Sequence, residues 1–248
     1  MEELVLARKN EYSYYYGDCS EYCDSPSGIY TEFYGEIAIR QINVVFDDLI
    51  PSSKNDILYD GVMSDLDMSD SERIEKSVFE RNWSASGGPK NILYRKGDAS
   101  LPIAPKTVIC HIVNNEAKWG KGFVTSLSDK YPFSKKRYTE FCGCYEKDNL
   151  LGRVLIDKVE ENIYIANMFA QNGYRKSRLD KKRYVDYNSL KLCLQEIANF
   201  SLLHRYSIQM PRIGAGLGGG DWLVIENLVK ENICYYGIDN YVIDPEGE

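Results

Sequence analysis

The chain of 248 residues contains no apolar run that approaches the roughly 18 residues a helix needs to cross a bilayer. Its first residues, MEELVLARKNEY, carry acids where a secretory signal peptide has a basic stretch followed by an apolar one. Both absences argue against a membrane or secreted protein. We therefore expect a cytoplasmic protein.

Histidine is scarce, and the cysteines lack the spacing of a metal site. The histidines are His111 and His204, and the seven cysteines are Cys19, Cys23, Cys110, Cys142, Cys144, Cys193 and Cys234. Neither close cysteine pair has the CxxC spacing that zinc sites use, and an odd number fits a disulfide framework poorly. We expect no metal and no other cofactor.

An excess of positive charge is also lacking, since 37 acidic residues face 30 basic ones and the formal net charge is −7. Broad binding of nucleic acid depends on neutralising phosphates with Lys and Arg, so we do not expect it. One segment is different. Residues Tyr174 to Arg183, YRKSRLDKKR, carry six basic side chains, which form either a solvated loop or a flap that contacts an anion.

The composition changes at NWSASGGPK, residues 82 to 90, where Ser, Gly and Pro replace periodic apolar residues. This pattern predicts a first domain at residues 1–85, a linker at 86–90 and a second domain at 91–248.

In the first domain, alternating apolar residues over 29–34 and 36–44 predict strands of a small antiparallel sheet. Helical spacing of apolar residues predicts an amphipathic helix from Asp67 to Trp83. The domain is similar to small β-rich domains of unknown function. Its tyrosines at 12 to 16, YSYYY, are either core or edge residues or a surface for a protein partner.

In the second domain, strands and helices alternate. Residues 107–113 and 207–213 have the character of strands, and 185–203 and 222–234 that of helices. This alternation predicts an α/β sheet covered on both faces, with ligands at the carboxyl ends of its strands.

Three loops at those strand ends are rich in glycine or polar residues. In KGDA, Asp98 is placed either to accept a hydrogen bond from an exocyclic amine or simply to shape a turn. In HIVNNEAKWGKGF, Gly120 and Gly122 let backbone N–H groups approach an anion before a helix begins. In PRIGAGLGGGDW, five glycines fall in seven positions, which indicates that side chains would obstruct a ligand such as a diphosphate.

Taken in this order, together with YIANMFAQNG, these segments resemble the macrodomain family from Asn91 to Asp244. The resemblance implies a three-layer α/β fold with a mixed sheet between helices, here preceded by a small β-rich α+β domain. It also implies binding of ADP-ribose, a derivative of it or an ADP-ribosylated molecule. The residues that it places against the ligand are Asp98, Ala99, Asn114, Gly120, Lys121, Gly122, Phe123, Gln171, Gly214, Ala215, Gly216, Leu217, Gly218 and Gly219.

Within the family, the sequence is most similar to the branch of ADP-ribose 1''-phosphate phosphatases and terminal ADP-ribose glycohydrolases. The glycohydrolases use a lysine and an aspartate where this chain has Gln171 and Gly218, which puts a lysine-linked covalent route in doubt. Asp221 has two possible roles. It either orients a water, with Asn114 and His111 as its catalytic partners, or it is the N-cap of the last helix.

We therefore expect hydrolysis at the distal ribose of an ADP-ribose derivative, either the 1''-phosphate or an ADP-ribosyl ester. The alternative is a non-catalytic sensor of such nucleotides.

Overall fold

The computed structural model describes residues 11–19, 27–54, 57–177 and 179–246. Cys23, from one of the cysteine pairs, and Arg178, from the basic segment, lie outside them. The chain divides into two compact units, Met1–Pro89 and Lys90–Glu248. No helix of the described residues is long and apolar enough to cross a membrane.

The first unit contains a five-stranded antiparallel sheet and one helix. The strands are β1 (Tyr12–Asp18), β2 (Ser27–Tyr34), β3 (Ile37–Val45), β4 (Asp48–Pro51) and β5 (Ser71–Arg73), in the order β4-β3-β2-β1-β5. Helix α1 (Lys76–Ala85) buries Phe79 and Trp83 completely. Tyr14 of β1 packs against Phe79 with ring centroids 5.6 Å apart, so this tyrosine belongs to the core.

The predicted helix over residues 67–83 is wrong in its first half. Ser71–Arg73 instead pairs with β1 as a strand, and the Oδ1 of Asp67 accepts the N–H of Ser69 at 3.0 Å. Short polar side chains compete with helical hydrogen bonds in this way, and the helix begins only at Lys76, after they end.

The second unit contains a six-stranded mixed sheet. Its strands are β6 (Leu93–Lys96), β7 (Thr107–Asn114), β8 (Val154–Glu160), β9 (Ile163–Gln171), β10 (Ser207–Met210) and β11 (Asn240–Asp244), in the order β6-β11-β10-β7-β9-β8. All neighbours are parallel except the edge strand β8, which is antiparallel to β9. The helices are α2 (Phe123–Lys130), α3 (Phe133–Gly143), α4 (Tyr187–His204) and α5 (Trp222–Asn232).

Helices cover both faces of this sheet. Successive residues of a strand point to opposite faces, and in β7 Val108 belongs to the core cluster of α4 and α5, whereas Ile109 packs with Leu127 of α2. The fold is thus a three-layer α/β arrangement, which confirms the predicted fold class. Since five strands are parallel, the loops after β6, β7, β9 and β10 all lie at one edge of the sheet.

Candidate functional site

Two clefts open at this edge of the sheet. The first, here called the Asp98 cleft, has a volume of about 1080 Å³, and the predicted residues that line it are Asp98, Ala99, Gly122, Phe123, Ala215 and Gly216. The second, the Asn114 cleft, has a volume of about 830 Å³, and the predicted residues that line it are Asn114, Gly120, Lys121, Gln171 and Leu217. Successive residues of the same two loops line both clefts, so the clefts are neighbours.

The loop after β10 offers backbone donors where the two clefts meet. Among the described residues, the N–H groups of Gly216, Leu217 and Gly218 have no hydrogen-bond acceptor. Consecutive backbone N–H groups without an acceptor are available to donate to an anion.

The loop between β7 and α2 offers donors from the opposite side. The N–H groups of Trp119, Gly120, Lys121 and Gly122 have no acceptor within the part of the chain that the structure describes. Helix α2 begins directly after them without a side-chain cap. The positive end of the helix and the free N–H groups therefore favour a negative ligand at the same place.

Three of the predicted glycines line neither cleft. A Cβ atom on Gly214 or Gly218 would lie 3.0 or 2.7 Å from Cγ2 of Val185, and one on Gly219 would lie 3.1 Å from the carbonyl oxygen of Lys182. These three glycines let the loop pack against its own unit and thereby hold the cleft residues in position.

Asn114, at the end of β7, organises the loop that follows it. Its Oδ1 accepts the N–H groups of Glu116 (3.0 Å) and Lys118 (3.1 Å), and its Nδ2 donates to the carbonyl oxygen of Lys118 (2.6 Å). The hydroxyl of Tyr138 donates to the carbonyl oxygen of Asn114 at 2.7 Å. Because an amide nitrogen carries two hydrogens, one remains for a ligand in the cleft.

Asp98 is held in a similar way in its own cleft. Its Oδ1 accepts both the N–H and the hydroxyl of Ser100, each at 2.8 Å. The carboxylate is therefore oriented by one oxygen, and the other oxygen has capacity to accept from an amine.

Sequence reasoning missed the side chains that join one loop to the next. The Oδ1 of Asn115 accepts the N–H of Gly173 at 2.9 Å, which ties the loop after β7 to the loop after β9. Arg212 donates to both carboxylate oxygens of Asp244, at 2.6 and 2.8 Å, and both residues line the Asp98 cleft. The sequence carries no local signal for such contacts, because the partners lie far apart along the chain.

The basic segment also contributes to the site. Tyr174, Arg175, Lys176 and Ser177 line the Asn114 cleft, and they follow Gln171, whose Nε2 donates to the carbonyl oxygen of Gly173 at 2.9 Å. The first residues of this segment thus lie at the cleft.

Asp221 lies in neither cleft. It is the N-cap of α5, where its Oδ1 accepts the N–H of Leu223 at 2.9 Å. Of the two interpretations of this residue, the structure shows the helix cap.

His111 is buried beneath the site and lines neither cleft. Its side chain is enclosed by the rings of Trp119 and Phe123, and its Nε2 donates to the Oδ1 of Asn167 at 2.8 Å. Burial lowers the pKa of His111 to about 4, and the hydrogen bond to Asn167 opposes only part of that fall. A neutral, enclosed imidazole supplies no positive charge to a leaving anion, so we leave His111 out of the catalytic groups.

This burial predicts a pH dependence of stability. Since the unfolded pKa of histidine is about 6.5, the contribution of neutral His111 is fully present above that pH and is lost as the pH falls towards about 4. We expect wild type to lose about 2 to 3 kcal/mol more than His111→Gln between pH 7 and pH 4.5, measured by urea unfolding. The pKa of His204 is also lowered by burial. Because His204 is present in both proteins, its contribution to the pH dependence cancels in the comparison. Equal losses in the two proteins would show that His111 is not buried as a neutral group.

Among the described residues, no group of three or more His, Cys, Asp or Glu side chains is arranged to hold a metal ion.

Comparisons with known proteins relate the chain to several others. No family model matches it. A solved protein of unknown function from Bacteroides thetaiotaomicron is 39% identical, and the match covers 62% of this chain and 98% of that one with a TM-score of 0.58. A macrodomain protein from Streptomyces coelicolor is 30% identical, covering 62% of this chain and 99% of that one with a TM-score of 0.53.

A curated relative is also similar. The ADP-ribose 1''-phosphate phosphatase of Candida albicans is 29% identical over 155 residues, which cover 56% of this chain and 92% of that protein.

Proposed function

This chain belongs to the macrodomain family, and on that premise we propose that it binds ADP-ribose or a close derivative and hydrolyses a bond at the distal ribose. The observation that carries the proposal is the pair of loops at the junction of the two clefts whose backbone N–H groups find no acceptor among the described residues. A diphosphate bound there leaves the adenosine in the Asp98 cleft and the distal ribose in the Asn114 cleft.

The Asp98 cleft suits an adenine base. The oriented carboxylate of Asp98 accepts a hydrogen bond from the exocyclic amine. The ring of Phe123 lines the same cleft and provides an apolar surface for the base or its ribose.

The Asn114 cleft suits a distal ribose that carries a negative group. The remaining Nδ2 hydrogen of Asn114 is available to a ribose oxygen, and Lys121 lines the cleft beside it. In the reaction that we favour, water adds to the phosphorus of a 1''-phosphate and the bond from phosphorus to the ribose oxygen breaks. ADP-ribose and inorganic phosphate are released, and the cationic side chain stabilises the charge that develops. The activity of the Candida albicans relative supports this choice.

One observation favours a second function. Among the described residues that line the Asn114 cleft there is no aspartate or glutamate, so no carboxylate is available there to deprotonate a water. The second candidate is a non-catalytic module that binds ADP-ribose or an ADP-ribosylated molecule.

Calorimetric titration with ADP-ribose, followed by incubation with ADP-ribose 1''-phosphate and a phosphate-release assay, tests both functions. We expect saturable binding of one ADP-ribose per chain and release of inorganic phosphate. Binding without phosphate release would favour the second function. A chain that does not bind ADP-ribose at all would contradict both.

A further inference from the structure

The charges of the two clefts differ. The Asn114 cleft is lined by four cationic side chains, which are Lys118, Lys121, Arg175 and Lys176, and by no carboxylate among the described residues. In the Asp98 cleft, Lys96 and Arg212 are accompanied by the carboxylates of Asp98, Asp244 and Glu246. Of the two clefts, the Asn114 cleft is therefore the one whose described lining carries positive charge without a carboxylate.

The four cations of the Asn114 cleft form no ion pair within the described part of the chain. Two carboxylates lie near the cleft. Glu116 pairs with Lys147 at 3.7 Å, and Asp180, which accepts the hydroxyl of Tyr184 and the N–H of Lys182, interacts electrostatically with Arg175. Asp180 is a single carboxylate and lines neither cleft, so it offsets only part of the charge of the four cations.

Arg175 is distinguished from the other three cations by its position against the glycine loop. Its Nε is buried and has no hydrogen-bond partner among the described residues. Its Nη2 lies 3.8 Å from the position that a Cβ atom would take on Gly219, so the guanidinium lies beside the glycine loop. A guanidinium is a planar donor that matches the oxygens of a phosphate in pairs.

From these observations we propose that Arg175 is a specificity-determining residue that binds a phosphate attached to the distal ribose. Lys118, Lys121 and Lys176 add charge to the same subsite. The inference rests on the proposed binding of ADP-ribose and narrows its ligand class. Derivatives with a phosphate on the distal ribose are preferred over unmodified ADP-ribose and over uncharged esters of it.

The test compares two ligands in wild type, Arg175→Gln and Arg175→Lys. Affinity is measured by titration for ADP-ribose, and by titration or by the KM of phosphate release for ADP-ribose 1''-phosphate. We expect wild type to prefer the phosphorylated ligand by about tenfold or more, and Arg175→Gln to lose about tenfold affinity for it alone, because a hydrogen bond to a charged group is removed. Arg175→Lys keeps the charge without the planar donor, and we expect partial recovery.

Lys181→Gln is the matched control, because Lys181 is exposed on the same segment, lines neither cleft and carries the same charge. It should bind both ligands as wild type does. If Arg175→Gln lowers the affinity for both ligands equally, or lowers neither, the inference is overturned while the proposed function stays intact. Wild type that binds both ligands equally would do the same, whereas wild type that binds neither would overturn the proposed function as well.

Discussion

We expect Gly216→Val to lower the affinity for ADP-ribose by about 100-fold, equivalent to about 3 kcal/mol, and to leave the stability of the fold unchanged. Gly216 lines the Asp98 cleft, and its N–H has no acceptor among the described residues. A Cβ atom at this position would meet no heavy atom within 4 Å, and the residue does not have the positive φ that restricts other positions to glycine. Nothing in the described part of the chain therefore requires a glycine here, and the open space is available to a ligand that comes close to the backbone.

The same substitution two residues earlier, at Gly214, is expected to change the stability of the fold. Gly214 has a φ of 72°, and a Cβ atom there would lie 3.0 Å from Val185, 3.1 Å from Ile112 and 3.1 Å from Ile225. We expect Gly214→Val to reduce the free energy of unfolding by about 3 kcal/mol, because it combines backbone strain with overpacking.

A third variant separates the effect of valine itself from the effect of position. Gly143 ends α3, lines neither cleft, and a Cβ atom there also meets nothing within 4 Å. Gly143→Val should bind ADP-ribose as wild type does. Titration and urea unfolding of the three variants form the experiment, and wild-type affinity in Gly216→Val would show that the ligand does not approach this loop.

The sequence was sufficient to predict the class of the fold and to single out the loops that line the two clefts. Periodic apolar residues located the helices and strands of the second unit, and the glycine-rich loops indicated where backbone must be accessible. Asp98, Asn114 and Gly216 line the two clefts, since residues at the ends of parallel strands necessarily meet at one edge of the sheet.

The direction of individual polar side chains could not be predicted in the same way. His111 and Asp221 lie within or beside the loop motifs, yet the first points into the core and the second caps a helix. Arg175 lies in a segment whose composition suits a solvated loop equally well, and only tertiary packing brings it to the glycine loop. Local sequence does not determine which of two faces a polar residue will occupy.

We expect Arg40→Met to reduce the stability of the first unit by about 3 to 5 kcal/mol, because it leaves a buried carboxylate without its counter-charge. The side chain of Arg40 is fully buried and donates to Glu32, which is 1% exposed. Its two terminal nitrogens donate to both oxygens of Glu80, at 2.9 and 3.1 Å. The guanidinium also lies over the rings of Phe79 and Trp83, at 4.9 and 5.1 Å from their centroids, so α1 is held to the sheet through this residue.

Two further variants show whether the unpaired carboxylate of Glu32 causes the loss of stability. Adding Glu32→Gln to Arg40→Met removes the fully buried carboxylate, and we expect it to recover part of the stability. Arg73→Met changes an exposed arginine of β5 in the same sheet and should be neutral. Pulse proteolysis in urea, with peptides from residues 1–89 identified by mass spectrometry, measures this unit within the full chain. If Arg40→Met resists cleavage as well as Arg73→Met does, the ion pairs of Arg40 do not hold the helix to the sheet, and the burial of Phe79 and Trp83 is sufficient for that.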